Sequence, residues 1–395
     1  MELSFTTDLD ENIAMMKRLF VHDDTFICRE VRGQSALRAA LFFFDGMVNS
    51  QAINESIVKP ISLWTGNSLQ MPDVIREVLQ IDDCPFDLKT DQLLAAFLYG
   101  DTIVLVDGDS RPAVVNTKGF AKRGPDEPDN EKVLRGPREG FTEAFMGNLA
   151  LIRRRLRTPN LCFEFSGIGS VTHTTVSLCY IQGIADEAVL ETVRQRLQDI
   201  PLDSILDANY LGEIIRDNRF SPFPTVGVTE RPDIVAAKLL EGRVAIVVDG
   251  TLAVFEILKE AGTRTPDTIG QALSIVGGLV LGQAAVDARF VSAPMVIIIA
   301  FSGVTALIVP KLRTATLLLR FFLLVCAALL GLYGVLFGGC LILAHLCRLS
   351  SFGVPYLTNV LAAEKHSRRD VLLRFPWFAM KPEHRFLAGW RGVRR

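Results

Sequence analysis

The run FFLLVCAALLGLYGVLFGGCLILA, Phe321 to Ala344, decides how the rest of the chain is read. Its 24 residues carry no charge. As one helix they would extend roughly 36 Å at ~1.5 Å per residue, enough to cross a ~30 Å hydrocarbon core. Working outward, Val291 to Val309 is a second apolar stretch of 19 residues, and Ile269 to Val286 a shorter, more polar third. Three candidate spans, 269–286, 291–309 and 321–344, make 252–347 a helical membrane domain. The far longer stretch before them has the polarity of a water-soluble fold, and 348–395 forms a basic tail.

Charge follows the same division. Residues 1–260 hold 27 Lys and Arg against 39 Asp and Glu, a net of −12. Residues 348–395 hold 10 against 3, a net of +7, hidden by a whole-chain charge of −2. A basic segment directly after a span reads as cytoplasmic, and the 310–320 loop adds Lys311, Arg313 and Arg320. The acidic front argues against nucleic acid as a partner. Seven cysteines without a CxxC pair read as free thiols in a reducing compartment. The opening MELSFTTDLDENIAMMKRLF lacks a basic region followed by an apolar run, so no secretory signal is expected and the front domain is placed in the cytoplasm.

The front half reads as α/β. Residues 1–34 form a helical arm, with Met15, Met16, Leu19 and Phe20 as its apolar stripe and Asp8 or Asp10 as its cap. Strands are expected at Leu37–Phe44, Thr102–Val106, Thr175–Ile181 and Val244–Val248, each closed by Asp-Gly or Gln-Gly. Helices are expected at Gln70–Gln80, Thr90–Leu98 and Asp186–Asp199. LYGDTIVLVDG (98–108) echoes LEGRVAIVVDG (240–250), and LFFFDGMVNSQAINESI (41–57) echoes LCYIQGIADEAVLETVR (178–194). The offsets, 142 and 137 residues, point to a duplicated α/β unit, against chance likeness among strand-turn phrases. The expected fold is therefore an α/β cytoplasmic region of two similar subdomains followed by an α-helical transmembrane domain. The subdomains are 35–133 and 166–251, joined by a connecting helix over 134–165. Apolar strands without alternation fit sheets covered by helices.

No constellation supports catalysis, a metal or a cofactor: the five histidines are scattered and no phosphate loop is present. Ser166-Gly167-Ile168-Gly169-Ser170 lacks the third glycine and the later acid of a dinucleotide fingerprint, so it reads as a tight turn. Arg153, Arg154 and Arg155 offer an anion or interface site, although such a run is more commonly a solvated face or a cap on its helix dipole. Arg135, Gly136 and Arg138 offer free backbone N–H groups at a helix start. In the first span Gly278 and Gly282 form a GxxxG among Gln271, Ser274 and Gln283. That pattern packs helices closely or lines a pore.

Several phrases together resemble the A subunit of the GerA-type spore germinant receptors: GDTIVLVDG (100–108), RGPREGFTEAF (135–145), NLALIRRRLRTPNL (148–161), SPFPTVGVTERPD (221–233) and LEGRVAIVVDGT (240–251). The likeness continues through FEILKEAGTRTPDTIGQALSIVGGLVLGQAAV (255–286) and RLSSFGVPYL (348–357). The resemblance implies a non-enzymatic integral membrane subunit of a nutrient receptor in the inner spore membrane. It implies a permease-like B subunit, a lipoprotein C subunit, further copies of the same chain and membrane lipid as partners, and germinant-triggered ion release as the outcome. It also implies that something is missing. In the family a long span separates the VDGT phrase from the FEILxEAG helix, whereas here Thr251 leads directly to Leu252, a loss of roughly 90 residues including one crossing. Three spans would leave front domain and tail on opposite faces, unless 269–286 is re-entrant; alternatively the 252–262 helix lies in the interface and the topology is strained. A transporter-like carrier with a regulatory domain, a membrane-anchored enzyme and a defective truncated paralogue are the rival readings.

Overall fold

A computed structural model of the protein describes residues 3–34, 37–66, 70–79, 84–119, 139–205, 208–218, 221–223, 225–249, 286, 298, 313–352 and 354–357. They fall into two compact units. The first lies within Met1–Ala208 and Val228–Thr251; the second takes Asn209–Gly227 and the described residues after Leu252.

The first unit opens with helix α1 (Leu9–Leu19), and its cap is Asp8, whose carboxylate accepts from the Asp10 and Glu11 amides. The buried stripe is Leu9, Ile13, Met16 and Phe20, spaced four, three and four. Helix ends there. Phe26–Arg32 is a strand, β1, where a continued helical arm was expected. Its phenylalanine, isoleucine and valine suit a pleated surface, and β2 (Arg38–Phe44) supplies a full antiparallel partner, Phe26 opposite Phe44. The rest of the sheet is β3 (Thr102–Val106) and β4 (Ala113–Val115), in the order β1-β2-β3-β4, antiparallel throughout.

Side chains on β2 and β3 alternate between two cores on opposite faces. Ala39, Leu41, Val104 and Val106 point to one, filled by Ile53, Ile57 and Ile61 of a helical run and by Val74 of α4 (Met71–Glu77). That run is α2 (Ser50–Ile53), a π turn (Asn54–Val58) and α3 (Lys59–Leu63). Ala40, Phe42, Ile103 and Leu105 point to the other, filled by α1 and by Phe97 of α5 (Thr90–Leu98). Helices on both faces explain why an antiparallel strand can read as an unbroken apolar run.

Helix α6 (Phe145–Arg155) is preceded by the same pair of side-chain bonds as α1. In α1, Asn12 Nδ2 donates to the Thr6 carbonyl at 2.8 Å, and its Oδ1 accepts from the Thr6 amide at 2.9 Å. In α6, Asn148 makes the same two bonds to Thr142, at 2.6 and 2.8 Å. A hairpin follows each helix: β1–β2 after α1, and β5 (Leu161–Ile168) with β6 (Thr174–Ile181) after α6. Helix in the expected 134–165 connector is thus confined, among the described residues, to α6, and β5 begins inside that range. The second sheet has the order β5-β6-β7, with β7 (Ala245–Val248) antiparallel to β6. Leu149 and Ile152 of α6 and Val235 and Leu239 of α9 (Pro232–Leu240) fill one face. Helix α7 (Glu187–Gln198) buries Leu190, Val193 and Leu197.

In the second unit, α8 (Ala208–Ile215) leads into the Ser221–Phe223 segment. The long helical stretch α10 (Arg313–Arg348) is not one rod: Gly331, with φ 60° and ψ −139°, breaks it into arms 313–330 and 332–348. The arms fold back on each other. Gly338 lies against Leu323 and Phe322, and Ala315 shares a buried cluster with Leu349. The run 321–344 is therefore a helical hairpin, where a single crossing helix was expected. Only glycine adopts the Gly331 backbone without strain, and a Cβ at Gly334 would collide with the Cys326 carbonyl. The candidate spans 269–286 and 291–309 lie outside the described residues. The tail begins with a short ladder, β8 (Ser350–Ser351) on β9 (Val354–Pro355); residues 358–395 lie outside the described residues.

Candidate functional site

The arginine cluster sits at the end of α6, and the helical period divides its members. Arg153 falls four residues after Leu149 and eight after Phe145, on the buried stripe, and it is 1% exposed. Its Nη2 donates to the Asp23 carboxylate and, at 3.1 Å, to Thr25 Oγ1. Asp23 is equally buried and also accepts from the Thr25 amide and hydroxyl at 3.1 and 2.6 Å. The guanidinium lies over the rings of Phe44 and Phe163, 4.1 and 4.8 Å from their centroids. Burial pulls the Arg153 pKa down, and the Asp23 carboxylate opposes that pull.

Asp23 and Thr25 precede β1, Phe44 ends β2 and Phe163 lies in β5, so one side chain ties the first sheet to the second. Asp24 reinforces the seam: its amide donates to the Phe163 carbonyl at 2.9 Å, and its carboxylate accepts from the Phe165 amide at 2.6 Å. Arg154 and Arg155 turn outward and both reach Glu139, at 3.3 and 2.7 Å. Arg157 covers the Tyr99 ring at 3.9 Å. The three arginines expected together are thus divided: one lies at the seam and two sit on Glu139. Arg135, Gly136 and Arg138 lie outside the described residues, as do Gln271, Ser274, Gly278, Gly282 and Gln283. Asp23, Thr25 and Phe163 were not singled out from sequence. The signal available was an arginine on an apolar helical stripe, which demands a buried acid somewhere.

A cleft of about 580 Å³ opens between the outer half of β5, the end of α7 and residues 200–203. Glu164 and Arg194 stand at its mouth, joined at 2.9 and 2.8 Å, and Tyr180 donates to the same carboxylate at 2.5 Å. Burial would raise the Glu164 pKa, but Arg194 and Tyr180 outweigh it and hold the carboxyl below its usual range. Burial and Glu164 together push the Tyr180 phenol up. Ser166 through Ser170 line this cleft within a strand-turn-strand, whereas a dinucleotide loop needs a helix start after its glycines. The lining charges have partners: Glu164 pairs with Arg194, and Asp203 accepts from Ser170 Oγ at 2.7 Å.

In the second unit, Ser221 Oγ lies 3.1 Å from His345 Nε2, and Phe223 is buried with Ala315 and Leu349. This cluster holds the two ends of the α10 hairpin together.

A model of the Bacillus/Clostridium GerA spore germination proteins matches residues 14–254 and again 251–386. The chain belongs to the GerA family. It is 33% identical to spore germination protein KA of Bacillus subtilis (strain 168) over 94% of this chain and 85% of that protein. It is 30% identical to the membrane protein YfkQ of the same strain, over 94% and 90%. The crystal structure of the N-terminal domain of the A subunit of the Bacillus megaterium spore germinant receptor GerK3 shares 34% identity, covering 64% of this chain and 94% of that one, with a TM-score of 0.49. The GerA match breaks at 251–254, where the sequence passes directly from Thr251 to Leu252. The alignment to KA runs over 464 positions, while 94% of 395 residues is about 371, so roughly 93 positions have no residue here. A role in spore germination follows from the membership. The buried seam of this GerA chain holds its two sheets together through Arg153, Asp23 and Asp24.

Proposed function

We propose that this chain is an integral membrane A-type subunit of a nutrient germinant receptor, taking part in germinant-triggered ion release. The observation that carries the reading is the family match on both sides of residue 251, joined to an apolar hairpin exposed along most of its length. A permease-like B subunit, a lipoprotein C subunit and further copies of this chain are the partners. The inner spore membrane is its location, with front domain and tail cytoplasmic. Gln271, Ser274, Gly278, Gly282 and Gln283 are the candidate pore or helix-packing positions. Outward-facing Arg154 and Arg155, with Arg135, Gly136 and Arg138, are the candidate contacts to another subunit.

The front domain is read as two copies of one α/β unit. Three features support this: the matched Thr6–Asn12 and Thr142–Asn148 bonds, the matched hairpins, and turn glycines Gly46 and Gly183 with φ of 76° and 80°. The repeats then start near residues 6 and 142, so α1 and α6 belong to the repeats rather than forming an arm and a connector.

The test is replacement of an intact A subunit by this chain in spores, with nutrient-triggered potassium release as the readout. Release restored supports the subunit; no release removes the signalling role. A second reading rests on the missing roughly 93 positions: a truncated paralogue without signalling. Recovery of release on reinserting the absent segment from a relative would assign the defect to the deletion.

A further inference from the structure

Which face of the membrane each end of 313–348 occupies decides where the tail lies, and the hairpin bears on it directly. We infer that 313–348 enters lipid hydrocarbon as an antiparallel helical hairpin whose two ends emerge on one face, the face that carries the front domain. This rests on the membrane reading above.

Five observations carry it. The chain reverses at Gly331, and the arms run past each other with Gly334 at Cys326 and Gly338 at Leu323. Small residues at such contacts let helix backbones meet in lipid without an aqueous driving force. The outer surface is apolar to the tip, with Leu329 77% and Tyr333 82% exposed. In water, so large a patch would drive association. Each arm extends roughly 26 Å, close to the ~30 Å hydrocarbon thickness.

Charge sorts to one end. No charged residue occurs from 321 to 344, whereas in sequence Arg313 and Arg348 bound the two arms and Lys311 comes two residues before the first. Arg320, two turns up the first arm, has a stem long enough to bring its head back toward that end. Positive charge at both ends of one hairpin is the pattern of a cytoplasmic base.

The base is also tied to the front half by covalent connection. The segment that clamps it, Ser221 on His345 and Phe223 against Ala315 and Leu349, belongs to residues 209–227. That segment leaves the front sequence after Ala208 and rejoins it at Val228 without a span on either side. The base of the hairpin is therefore clamped by a stretch that no span separates from the front sequence. With an even count of passes through 313–348, the spans 269–286 and 291–309 can both cross, and the tail still returns to that face.

The experiment uses full-length protein in sealed vesicles of known orientation. Two variants each keep one reporter thiol, native Cys347 or Leu317→Cys, and a third carries Tyr333→Cys alone. A membrane-impermeant maleimide should reach positions 317 and 347 from the face where protease digests the front domain. Position 333 should be shielded, or reached from the opposite face. Labelling of 317 and 347 from opposite faces, or of 333 from the same face as the base, overturns the hairpin. Trypsin on unaltered protein gives a check independent of the variants. Cleavage from the front-domain face alone should release a protected fragment that begins at 314 or 321 and ends at 348; a fragment requiring trypsin on both faces overturns it. Tyr333→Trp should add emission that brominated acyl chains quench; an unquenched, shielded tip would mean that another protein chain covers it and would overturn the lipid assignment. Release of the protein by a carbonate wash would sink the membrane reading itself. Retention with ends on opposite faces sinks only the hairpin.

Discussion

Arg153 concentrates the chemistry of the front domain in one guanidinium. Its charge is buried, paired with Asp23 and lodged between two rings, while its Nη1 has no hydrogen-bond partner among the described residues. Removing one partner of such a pair leaves the other charge buried and uncompensated, which costs about 3–5 kcal/mol. Arg153→Ala in detergent-solubilised protein should therefore lose most of its folded population on a urea titration. Arg153→Met with Asp23→Leu should recover most of that loss, because the charge is removed from both sides. Burial pushes the Cys162 thiol up to about 11 and the Cys179 thiol up to about 12, both with little thiolate at neutral pH. Mass spectrometry after alkylation of folded protein at pH 8 should find these two unmodified. Urea should expose both.

The Glu164–Arg194 pair gives a pH signature at the same scale. Its carboxyl titrates below the usual glutamate value of 4.5 because the salt bridge and the Tyr180 hydroxyl outweigh burial. A depressed folded pKa stabilises the protein fully above the unfolded value and loses that stabilisation as pH falls through the folded one. Glu164→Gln should lower the melting temperature at pH 7 and flatten the acid limb below pH 4.5. An unchanged acid limb would show that the pair does not couple to folding.

At the scale of elements, the two asparagine-bearing helices make the duplication testable. Each side chain closes two backbone bonds ahead of its helix, so Asn12→Ala and Asn148→Ala should each destabilise by about 1–3 kcal/mol. Equal losses fit equivalent positions; a silent Asn148→Ala would argue against equivalence. These two helices were legible in outline, as helical stretches, but the bonding pattern they share was not. The echoed phrases began at the strands, and only the shared hydrogen-bond geometry aligned Thr6 with Thr142. The α10 hairpin was missed for a related reason. Apolar length alone favours one span, and glycine is common in membrane helices, so Gly331 and Gly334 did not stand out. Gly334→Val should drive the arms apart and reduce the heat-resistant fraction in detergent, while Gly339→Ala, with open space around it, should not.

For the whole molecule, the prediction concerns spores rather than purified protein. If the missing roughly 93 positions include a crossing that the assembled receptor needs, this chain will insert and resist carbonate extraction yet fail to restore potassium release. Reinsertion of the segment would then restore it. Chain order and charge asymmetry were enough to separate an acidic α/β front from an apolar back, and long family phrases identified the lineage. These are one-dimensional signals: hydropathy, net charge and runs of matched residues. Strands β2, β3, β6 and β7 were likewise visible, because an apolar strand covered on both faces has no polar position to disguise it. The tertiary structure alone decided that Arg153 points inward to Asp23, that β1 and β5 are strands within regions read as helix, and that 321–344 turns back on itself. Each depends on partners distant in sequence, 130 residues away for Arg153, or on a backbone angle that composition does not encode.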